Sequence, residues 1–339
     1  MKTFFSIFLA TLISLFNFFT TEGSVRQLIN KGDISGYSET ATADKVLPAL
    51  CADANGDFTI LQFTDTHFTT GLSYADNSVL KLMENQITEY KPDLVVILGD
   101  MIDDGEAGAF NKKYVLDRVG GLFDSLKQYW AYVPGNNDGI TYGTSADITA
   151  YLSQFEYCLC ADDRAISGGA QYSIDIESNG RVAHSLIILD TMDYDSEDDE
   201  HIYGYVHADQ VSWCENEINS KLAKYGDISM SVFIHENTPA FAEAALYGEV
   251  YKEGYSALDE MEEKFNIPKN KPLDDVFTAA GCIGLVSMGH VHPQENKCSF
   301  YNGTYYHVAA QTKKMGLLIT IHTEADNMRE MYDFTKIEL

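Results

Sequence analysis

Apolar runs of strand length alternate with segments of helical periodicity in the first half of the chain. The runs at 58–63, 94–98 and 129–133 predict strands, and the run at 94–98 is typical of a strand buried on both faces. Between them, the segments at 79–90 and 114–126 have apolar residues at helical spacing and predict helices. This β-α-β-α-β order indicates an α/β fold.

The second half of the chain is richer in predicted strands. One helix is predicted at 209–222, and the acidic run at 193–200 predicts a solvated loop. Strands are predicted at 172–176, 185–189, 230–234, 283–288, 304–309 and 316–321. No linker divides the chain, so we predict one domain over 57–339, preceded by an irregular lead-in at 24–56.

The N-terminus is typical of a targeting segment. Lys2 is followed by an apolar run to Phe19 and then by small residues around Gly23, which predicts a cleaved signal peptide at 1–23. An uncleaved signal anchor is the alternative, because the run is only slightly short of a spanning length. If this signal peptide is cleaved, we expect a secreted or lumenal protein without a membrane span in the mature chain.

Charge and cysteine content narrow the expected partners and compartment. The chain has 51 acidic and 23 basic residues, a formal net charge of −28, so no nucleic-acid binding surface is expected. A small anionic substrate is still compatible, because bound metal ions reverse the local charge.

Six cysteines fit an oxidising compartment, where a Cys282–Cys298 disulfide is the favoured pairing among those left open. The sequon Asn302-Gly303-Thr304 would carry a glycan in a eukaryotic secretory host.

Candidate metal ligands follow five of the predicted strands directly. They are Asp65, His67, Asp100, Asn136, His235, His290 and His292. Ligands of open α/β sheets bind at the carboxyl ends of strands, so these side chains are expected to meet. Oxygen and imidazole donors together suit Mn, Fe, Zn or Co rather than Ca. Seven donors, one of them a shared carboxylate, predict two metal ions.

The order of these residues resembles a known family. The pattern Asp65-x-His67, Gly99-Asp100, Gly135-Asn136, His235 and Gly289-His290-x-His292 resembles the calcineurin-like metallophosphoesterases over about 58–322. The segments at 203–213 and 233–239 look like the purple acid phosphatase-like branch. The resemblance implies an α/β fold built as a four-layer α/β/β/α sandwich, and a metal-dependent phosphatase or phosphodiesterase.

The resemblance also implies roles for the candidate residues. Asp65, His67 and His292 would bind one divalent or trivalent ion of Mn, Fe or Zn. Asn136, His235 and His290 would bind the second ion, and Asp100 would bridge both. A hydroxide between the ions would attack the phosphorus of a small phosphorylated substrate. Asn136, Asn137 and His235 are the predicted catalytic residues.

Two departures from the family pattern bear on the chemistry. True purple acid phosphatases have a tyrosine ligand at or near the position of Asp103 and lack the histidine that this chain keeps as His67, so no ferric-tyrosinate colour is expected. The family usually has a histidine where this chain has Asn137. An amide cannot act as a general acid at ordinary pH, so the usual proton donor to the leaving group is missing.

The missing acid leaves several interpretations open. The enzyme would favour esters with good leaving groups, including diesters, or another residue such as His201, His207 or Asp138 would supply the proton. A dinuclear phosphoester hydrolase is the main prediction. The alternatives are a non-catalytic metal-bound binding protein on the same scaffold and a metallohydrolase of non-phosphate substrates. Three further histidines are predicted to be structural or surface groups, and these are His184, His307 and His322.

Overall fold

The computed structural model of the chain describes residues 34–40, 47–103, 109–139, 143–161, 165–192, 204–259 and 267–338. The predicted signal peptide at 1–23, the acidic loop at 193–200 and the candidate acid His201 lie outside these residues. Within the described part, no helix is both long enough and apolar enough to cross a bilayer.

The strands and helices alternate along the first half, as the hydrophobic pattern predicts. The strands are β1 Leu50–Cys51, β2 Asp57–Phe63, β3 Leu94–Leu98, β4 Trp130–Val133, β5 Gln171–Ser178, β6 Arg181–Leu189, β7 Ser229–Phe233, β8 Glu249–Val250, β9 Ile283–Met288, β10 Lys297–Tyr301, β11 Thr304–Val308, β12 Gly316–His322 and β13 Tyr332–Ile337. The helices are α1 Tyr37–Thr40, α2 Tyr74–Tyr90, α3 Ala109–Leu126, α4 Ser145–Leu152, α5 Ala208–Tyr225, α6 Pro239–Tyr247 and α7 Lys271–Ala280.

Two sheets form the centre of the molecule. The smaller sheet has the strand order β13-β12-β2-β3-β4, and the larger has the order β1-β5-β6-β7-β9-β11-β10-β8. Strands β2, β3 and β4 are parallel to one another, and so are β6, β7 and β9. Each sheet therefore has a set of neighbouring carboxyl ends that can bring loop residues together.

Helices cover the outer face of each sheet. One apolar core joins α2 and α3 to the five-stranded sheet and continues to the inner face of the eight-stranded sheet. A second core lies between the eight-stranded sheet and α5, α6 and α7. The order of layers is helix, sheet, sheet, helix, so the predicted four-layer α/β/β/α sandwich is confirmed.

Helix α2 shows how the local sequence produces one of these elements. Val79, Met83 and Ile87 recur every four residues and bury one face of the helix. Ser73 caps the N-terminus by accepting a hydrogen bond from the N–H of Asp76. The helix begins five residues before the predicted start, because its first turn is stabilised by this polar cap and not by apolar periodicity.

The described part of the predicted lead-in has regular contacts with the rest of the chain. Strand β1 pairs in parallel with β5. The N–H of Ser38, in α1, donates to Asp147 Oδ1 at 2.9 Å, and Asp147 also caps α4. These contacts attach both segments to the sandwich.

The predicted Cys282–Cys298 disulfide is wrong. Strand β11 lies between the strand that follows Cys282 and the strand that contains Cys298. Cys298 stands opposite His307, which in turn stands opposite Ser287, five residues along the chain from Cys282. A disulfide needs Cα atoms less than about 7 Å apart, and this register places them much farther. In the described part of the chain, none of the six cysteines forms a disulfide.

Candidate metal centre

The predicted ligands lie in loops that follow five strands of the two sheets. Asp65 and His67 follow β2, Asp100 follows β3, Asn136 follows β4, His235 follows β7, and His290 and His292 follow β9. The structure brings six of them into two groups that share Asp100, and the donor atoms of each group lie within 4.8 Å of one another. Asn136 is buried in the loop beside Asp100, directly before Asn137, whose N–H binds that carboxylate.

The first group is partly exposed, and we call it the open group. It consists of Asp65, His67, Asp100 and His292. His292 Nε2 lies 2.7 Å from Asp65 Oδ1 and 3.2 Å from His67 Nε2, while His67 Nε2 lies 3.7 Å from Asp100 Oδ2. The side chains of His67 and His292 are 15% and 37% exposed, so this group borders solvent.

The second group is buried throughout, and we call it the closed group. It consists of Asp100, His235 and His290. His235 Nε2 lies 3.3 Å from Asp100 Oδ1, and its Nδ1 lies 2.9 Å from the carbonyl of Leu98. A hydrogen bond from Nδ1 to a backbone carbonyl fixes the ring and leaves the Nε2 lone pair for coordination.

The electrostatics of the closed group fit a cation. Burial alone lowers the pKa of His235, but the carboxylate of Asp100 outweighs burial and raises the pKa to about 10. Burial alone raises the pKa of Asp100, yet His235 and His67 bring it below its usual range. Burial lowers the pKa of His290 to about 3. The site therefore favours one positive charge beside Asp100, a charge that a metal ion could supply.

The backbone of the centre is strained at most of the predicted ligands. Five of them have φ between 43° and 66°, a region that non-glycine residues seldom adopt and that concentrates at functional sites. They are Asp65, His67, Asp100, His290 and His292. Close approach of the loops also requires glycine, because a Cβ at Gly99 would collide with the ring of His235 and one at Gly135 with the backbone of Asp100.

Asn137 holds Asp100 from two sides. Its N–H donates to Asp100 Oδ1 at 2.8 Å, and its Nδ2 donates to Asp100 Oδ2 at 2.6 Å. Oδ1 is the oxygen nearest the closed group, and Oδ2 is the oxygen nearest His67 in the open group. The residue that replaces the usual histidine therefore orients the shared carboxylate.

Two of the three candidate replacement acids, Asp138 and His207, lie in the part of the chain that the structure describes. Asp138 is fully buried, and it accepts hydrogen bonds from the N–H groups of Ile102 and Gly135 and from the hydroxyl of Tyr132. Burial and the charge of Asp100 raise the pKa of Asp138 to about 7. These contacts show that the carboxyl group of Asp138 stabilises the loop in which it lies. His207 lies at the start of α5, where its N–H donates to a glutamine side chain.

Three residues that support the centre were not predicted from the sequence. Thr64 Oγ1 donates to Asp65 Oδ2 at 2.6 Å and also contacts the carbonyl of Leu98. Gln311 Nε2 donates to the carbonyl of Asp65, and Thr312 exchanges hydrogen bonds with the backbone of Thr64. The position of Thr64 beside Asp65 is a local signal, but Gln311 and Thr312 come from nearly 250 residues along the chain and have none.

Solved structures share this architecture at low sequence identity. A dimetal phosphatase from Danio rerio matches with a TM-score of 0.54 and 12% identity over 84% of this chain and 99% of that chain. A putative 5'-nucleotidase from Staphylococcus aureus, in complex with alpha-ketoglutarate, matches with a TM-score of 0.50 and 11% identity over 83% of this chain and 53% of that chain. These similarities show the fold.

A purple acid phosphatase from Lupinus luteus seeds matches with a TM-score of 0.47 and 13% identity over 83% of this chain and 54% of that chain. The narrower resemblance to the purple acid phosphatase-like branch stays a prediction.

No curated protein matches the chain. The profile of the calcineurin-like phosphoesterases matches residues 58–294, which is more than half of the sequence. The chain belongs to the calcineurin-like phosphoesterase family.

Proposed function

We propose that this protein is a dinuclear metal-dependent hydrolase of small phosphomonoesters or phosphodiesters. The observation that carries the proposal is the position of Asp100 between the two groups. Its Oδ2 lies 3.7 Å from His67 Nε2 in the open group, and its Oδ1 lies 3.3 Å from His235 Nε2 in the closed group. One carboxylate facing two sets of donors is the arrangement that suits two neighbouring ions.

The residues of the two groups have the chemistry to hold Mn, Fe or Zn ions. Two such ions, when bound, lower the pKa of water and neutralise charge on phosphoryl oxygens. The chain's own contribution is to position the ligands. Thr64 fixes Asp65, the carbonyl of Leu98 fixes His235, and Asn137 fixes Asp100. Substrate would approach from the side of His67 and His292, where the centre borders solvent.

The proposed substrates have leaving groups that do not need a strong general acid. Asn137 donates a hydrogen bond but carries no transferable proton at neutral pH. Asp138 is fully buried, and its carboxyl group accepts a hydrogen bond from the hydroxyl of Tyr132, so it is poorly placed to protonate a substrate. Aryl esters and diesters with acidic alcohols therefore fit this centre better than esters of simple alcohols.

A non-catalytic metal-bound binding protein is the second candidate. It is favoured by the bond from Asn137 Nδ2 to Asp100, which turns the side chain at the usual acid position toward the shared carboxylate. Such a protein would hold both ions and bind phosphorylated ligands without turnover.

The test measures hydrolysis of p-nitrophenyl phosphate and bis-p-nitrophenyl phosphate by protein loaded with Mn, Fe or Zn. Asp100→Asn removes the shared charge, and Asp326→Asn is the matched control on an exposed residue. Turnover that Asp100→Asn abolishes and Asp326→Asn keeps supports the hydrolase, and the ratio of the two rates distinguishes monoesters from diesters. Two bound ions per chain without turnover of either ester would favour the binding protein.

We also propose that the protein enters the secretory pathway. The support is the sequence pattern of the first 23 residues, with a basic residue, an apolar run and small residues in order. Expression of the full sequence in a secreting host, followed by intact-mass measurement, tests this proposal. A secreted product that lacks these residues supports it, whereas full-length protein retained in the cell membrane would indicate an anchor.

A further inference from the structure

The loop between β11 and β12 is attached to the segment that carries Asp65. The N–H of Thr312 donates to the carbonyl of Thr64 at 3.0 Å, and Thr312 Oγ1 accepts from the N–H of Thr64 at 2.8 Å. Gln311 Nε2 donates to the carbonyl of Asp65 at 3.0 Å. These bonds hold the loop beside the open group, so its conformation is organised before any substrate arrives.

The same loop carries two adjacent lysines, Lys313 and Lys314, and we call residues 311–314 the cationic loop. Lys314 Nζ donates to the carbonyl of His292 at 3.0 Å. His292 is the more exposed histidine of the open group, with 37% of its side chain accessible. The ammonium of Lys314 is therefore hydrogen-bonded to the backbone of a metal-ligand candidate, and Lys314 is itself partly exposed.

Lys314 differs from the lysines that are neutralised by a carboxylate. Lys221 pairs with Asp175, and Lys336 pairs with Glu295. In the described part of the chain, Lys314 has no carboxylate within 4.0 Å, and its bond to His292 is to a neutral carbonyl. An ammonium has three N–H donors, and among the described residues one of them binds the carbonyl of His292, so the other two can bind an anion. Lys313 is exposed beside it and adds a second positive charge.

The two adjacent positive charges of the cationic loop contrast with the net negative charge of the whole molecule. The chain has 51 acidic and only 23 basic residues, so its general surface repels anions. The carboxylates of Asp65 and Asp100 would be offset by bound ions, which leaves the open group and the cationic loop as a locally positive region. A region of this kind attracts and orients ligands with more than one negative charge.

We propose that the cationic loop binds a second anionic group of the substrate, away from the phosphoester that is hydrolysed. The substrate class is then a phosphoester that carries a further phosphate or carboxylate. This inference rests on the proposed function, because it assigns the scissile phosphoryl group to the metal centre. Lys314 makes the direct contact, and Lys313 contributes longer-range attraction.

The experiment compares phenyl phosphate with 4-carboxyphenyl phosphate, which differ by one anionic group. Lys314→Gln removes the charge, Lys314→Arg keeps it, and Lys224→Gln is a control for charge loss near the end of α5. We expect Lys314→Gln to lower kcat/KM for the carboxylated ester about fivefold relative to phenyl phosphate, as for loss of one partly exposed charge contact. Lys314→Arg and Lys224→Gln should keep the wild-type ratio.

A supporting role for Lys314 in holding His292 would give a different result. Lys314→Gln would then lower kcat/KM for both esters by the same factor, and this outcome would overturn the proposal. An unchanged ratio with unchanged rates would overturn it as well, because the contact would contribute nothing.

A binding measurement separates this proposal from the hydrolase proposal. Phenylphosphonate and 4-carboxyphenylphosphonate keep the same charges but have no ester bond, so their affinities for Mn-loaded protein are measured by calorimetry. Selective loss of affinity for the carboxylated phosphonate in Lys314→Gln supports the anion site even if no ester is turned over. Turnover of both esters, combined with equal phosphonate affinities in the wild type and Lys314→Gln, would keep the hydrolase and exclude the anion site.

Discussion

The open and closed groups of the metal centre use the same kinds of donor in opposite surroundings. His67 and His292 of the open group are 15% and 37% exposed, whereas His235 of the closed group is fully buried and His290 is 7% exposed. Asp100 belongs to both. The difference shows that one centre can combine a position shielded from water with a position that borders solvent.

The shielding has a physical consequence for ion binding. Charges attract each other more strongly where water is excluded, so an ion in the closed group interacts more strongly with Asp100 than an ion in the open group does. Exchange of a buried ion also requires the surrounding loops to open. We therefore expect the ion of the closed group to leave slowly and the ion of the open group to exchange readily.

The largest effect is expected from the residue that the two groups share. Asp100→Asn removes the negative charge from both and places an amide opposite the donors of Asn137. We expect both ions to bind weakly and kcat to fall by about 10³-fold or more, since metal assistance is worth several kcal/mol. Metal content by mass spectrometry and turnover of p-nitrophenyl phosphate measure this change. Two tightly bound ions in Asp100→Asn would show that the groups do not depend on a shared ligand.

Substitutions confined to one group separate the ion binding of the open group from that of the closed group. His290→Ala affects only the closed group, and His292→Ala affects only the open group, so each variant should retain about one ion per chain. Release to a chelator is followed with a colour indicator. The wild type should show a fast and a slow phase, His292→Ala only the slow phase, and His290→Ala only the fast phase. Equal release rates in the two variants would contradict the assignment of open and closed positions.

The location of the centre could be predicted from the sequence, because its signals are local. Asp65 and Asp100 each follow an apolar run that forms a strand, and the carboxyl ends of β2 and β3 lie side by side. The pattern of motifs also resembled the family to which the chain belongs. Donors that follow parallel strands meet for a general geometric reason, and the structure brings the six carboxylate and imidazole residues together.

The resemblance implied the same division of the carboxylates and histidines into two sets. The difference in exposure between the open and closed groups could not be predicted, since it depends on contacts between distant segments. The loop around Thr312 packs against Thr64, which lies 248 residues away in the chain. Helices α1, α4, α6 and α7 and strands β1, β8, β10 and β13 were also absent from the predicted elements. Helix α6 has small apolar residues at most positions, so its sequence lacks a clear periodicity. The predicted Cys282–Cys298 disulfide was wrong for a similar reason. The position of β11 between the two strands is a property of the topology and cannot be read from the local sequence.

Asn137 supports the two groups separately, because each of its donors binds a different oxygen of Asp100. Asn137→Ala removes the bond to Oδ2, the oxygen nearest the open group, and keeps the backbone bond to Oδ1. We expect the affinity of the open group for its ion to fall about 10- to 100-fold, as for loss of a supporting contact to a metal ligand. The slow phase of release should be unchanged. Equal weakening of both ions would show that the side chain supports the whole carboxylate.

Asn137→His tests the missing acid separately. A histidine at this position supplies a transferable proton, so turnover of monoesters with poor leaving groups should rise, by up to about 10²-fold. The expected gain is smaller for bis-p-nitrophenyl phosphate, because nitrophenolate leaves without protonation. The measurement is kcat for phenyl phosphate against the nitrophenyl diester. A fall for both substrates would mean that support of Asp100 matters more than the proton.

Two buried histidines outside the metal centre are expected to make the stability of the fold sensitive to acid. His184 is fully buried between the hydroxyls of Ser229 and Ser231, and His307 is fully buried beside Ser287. Burial lowers the pKa of each to about 3, from the ordinary value of 6.5. Because the unfolded chain binds these protons more readily, the stability that the neutral rings provide is present above pH 6.5 and is lost as the pH falls toward 3.

This effect is on stability and not on turnover, and it is measured in protein stripped of metal, where the two groups no longer contribute ion binding. Between pH 7 and pH 5 the free energy of unfolding should fall by about 2 kcal/mol for each of these histidines. Urea denaturation in the presence of a chelator measures the change, and His184→Asn should remove about half of this histidine contribution, while His207→Gln should leave it unchanged. A fall of the same size in the wild type and in His184→Asn would contradict this prediction and would place the acid sensitivity outside the buried histidines between the sheets.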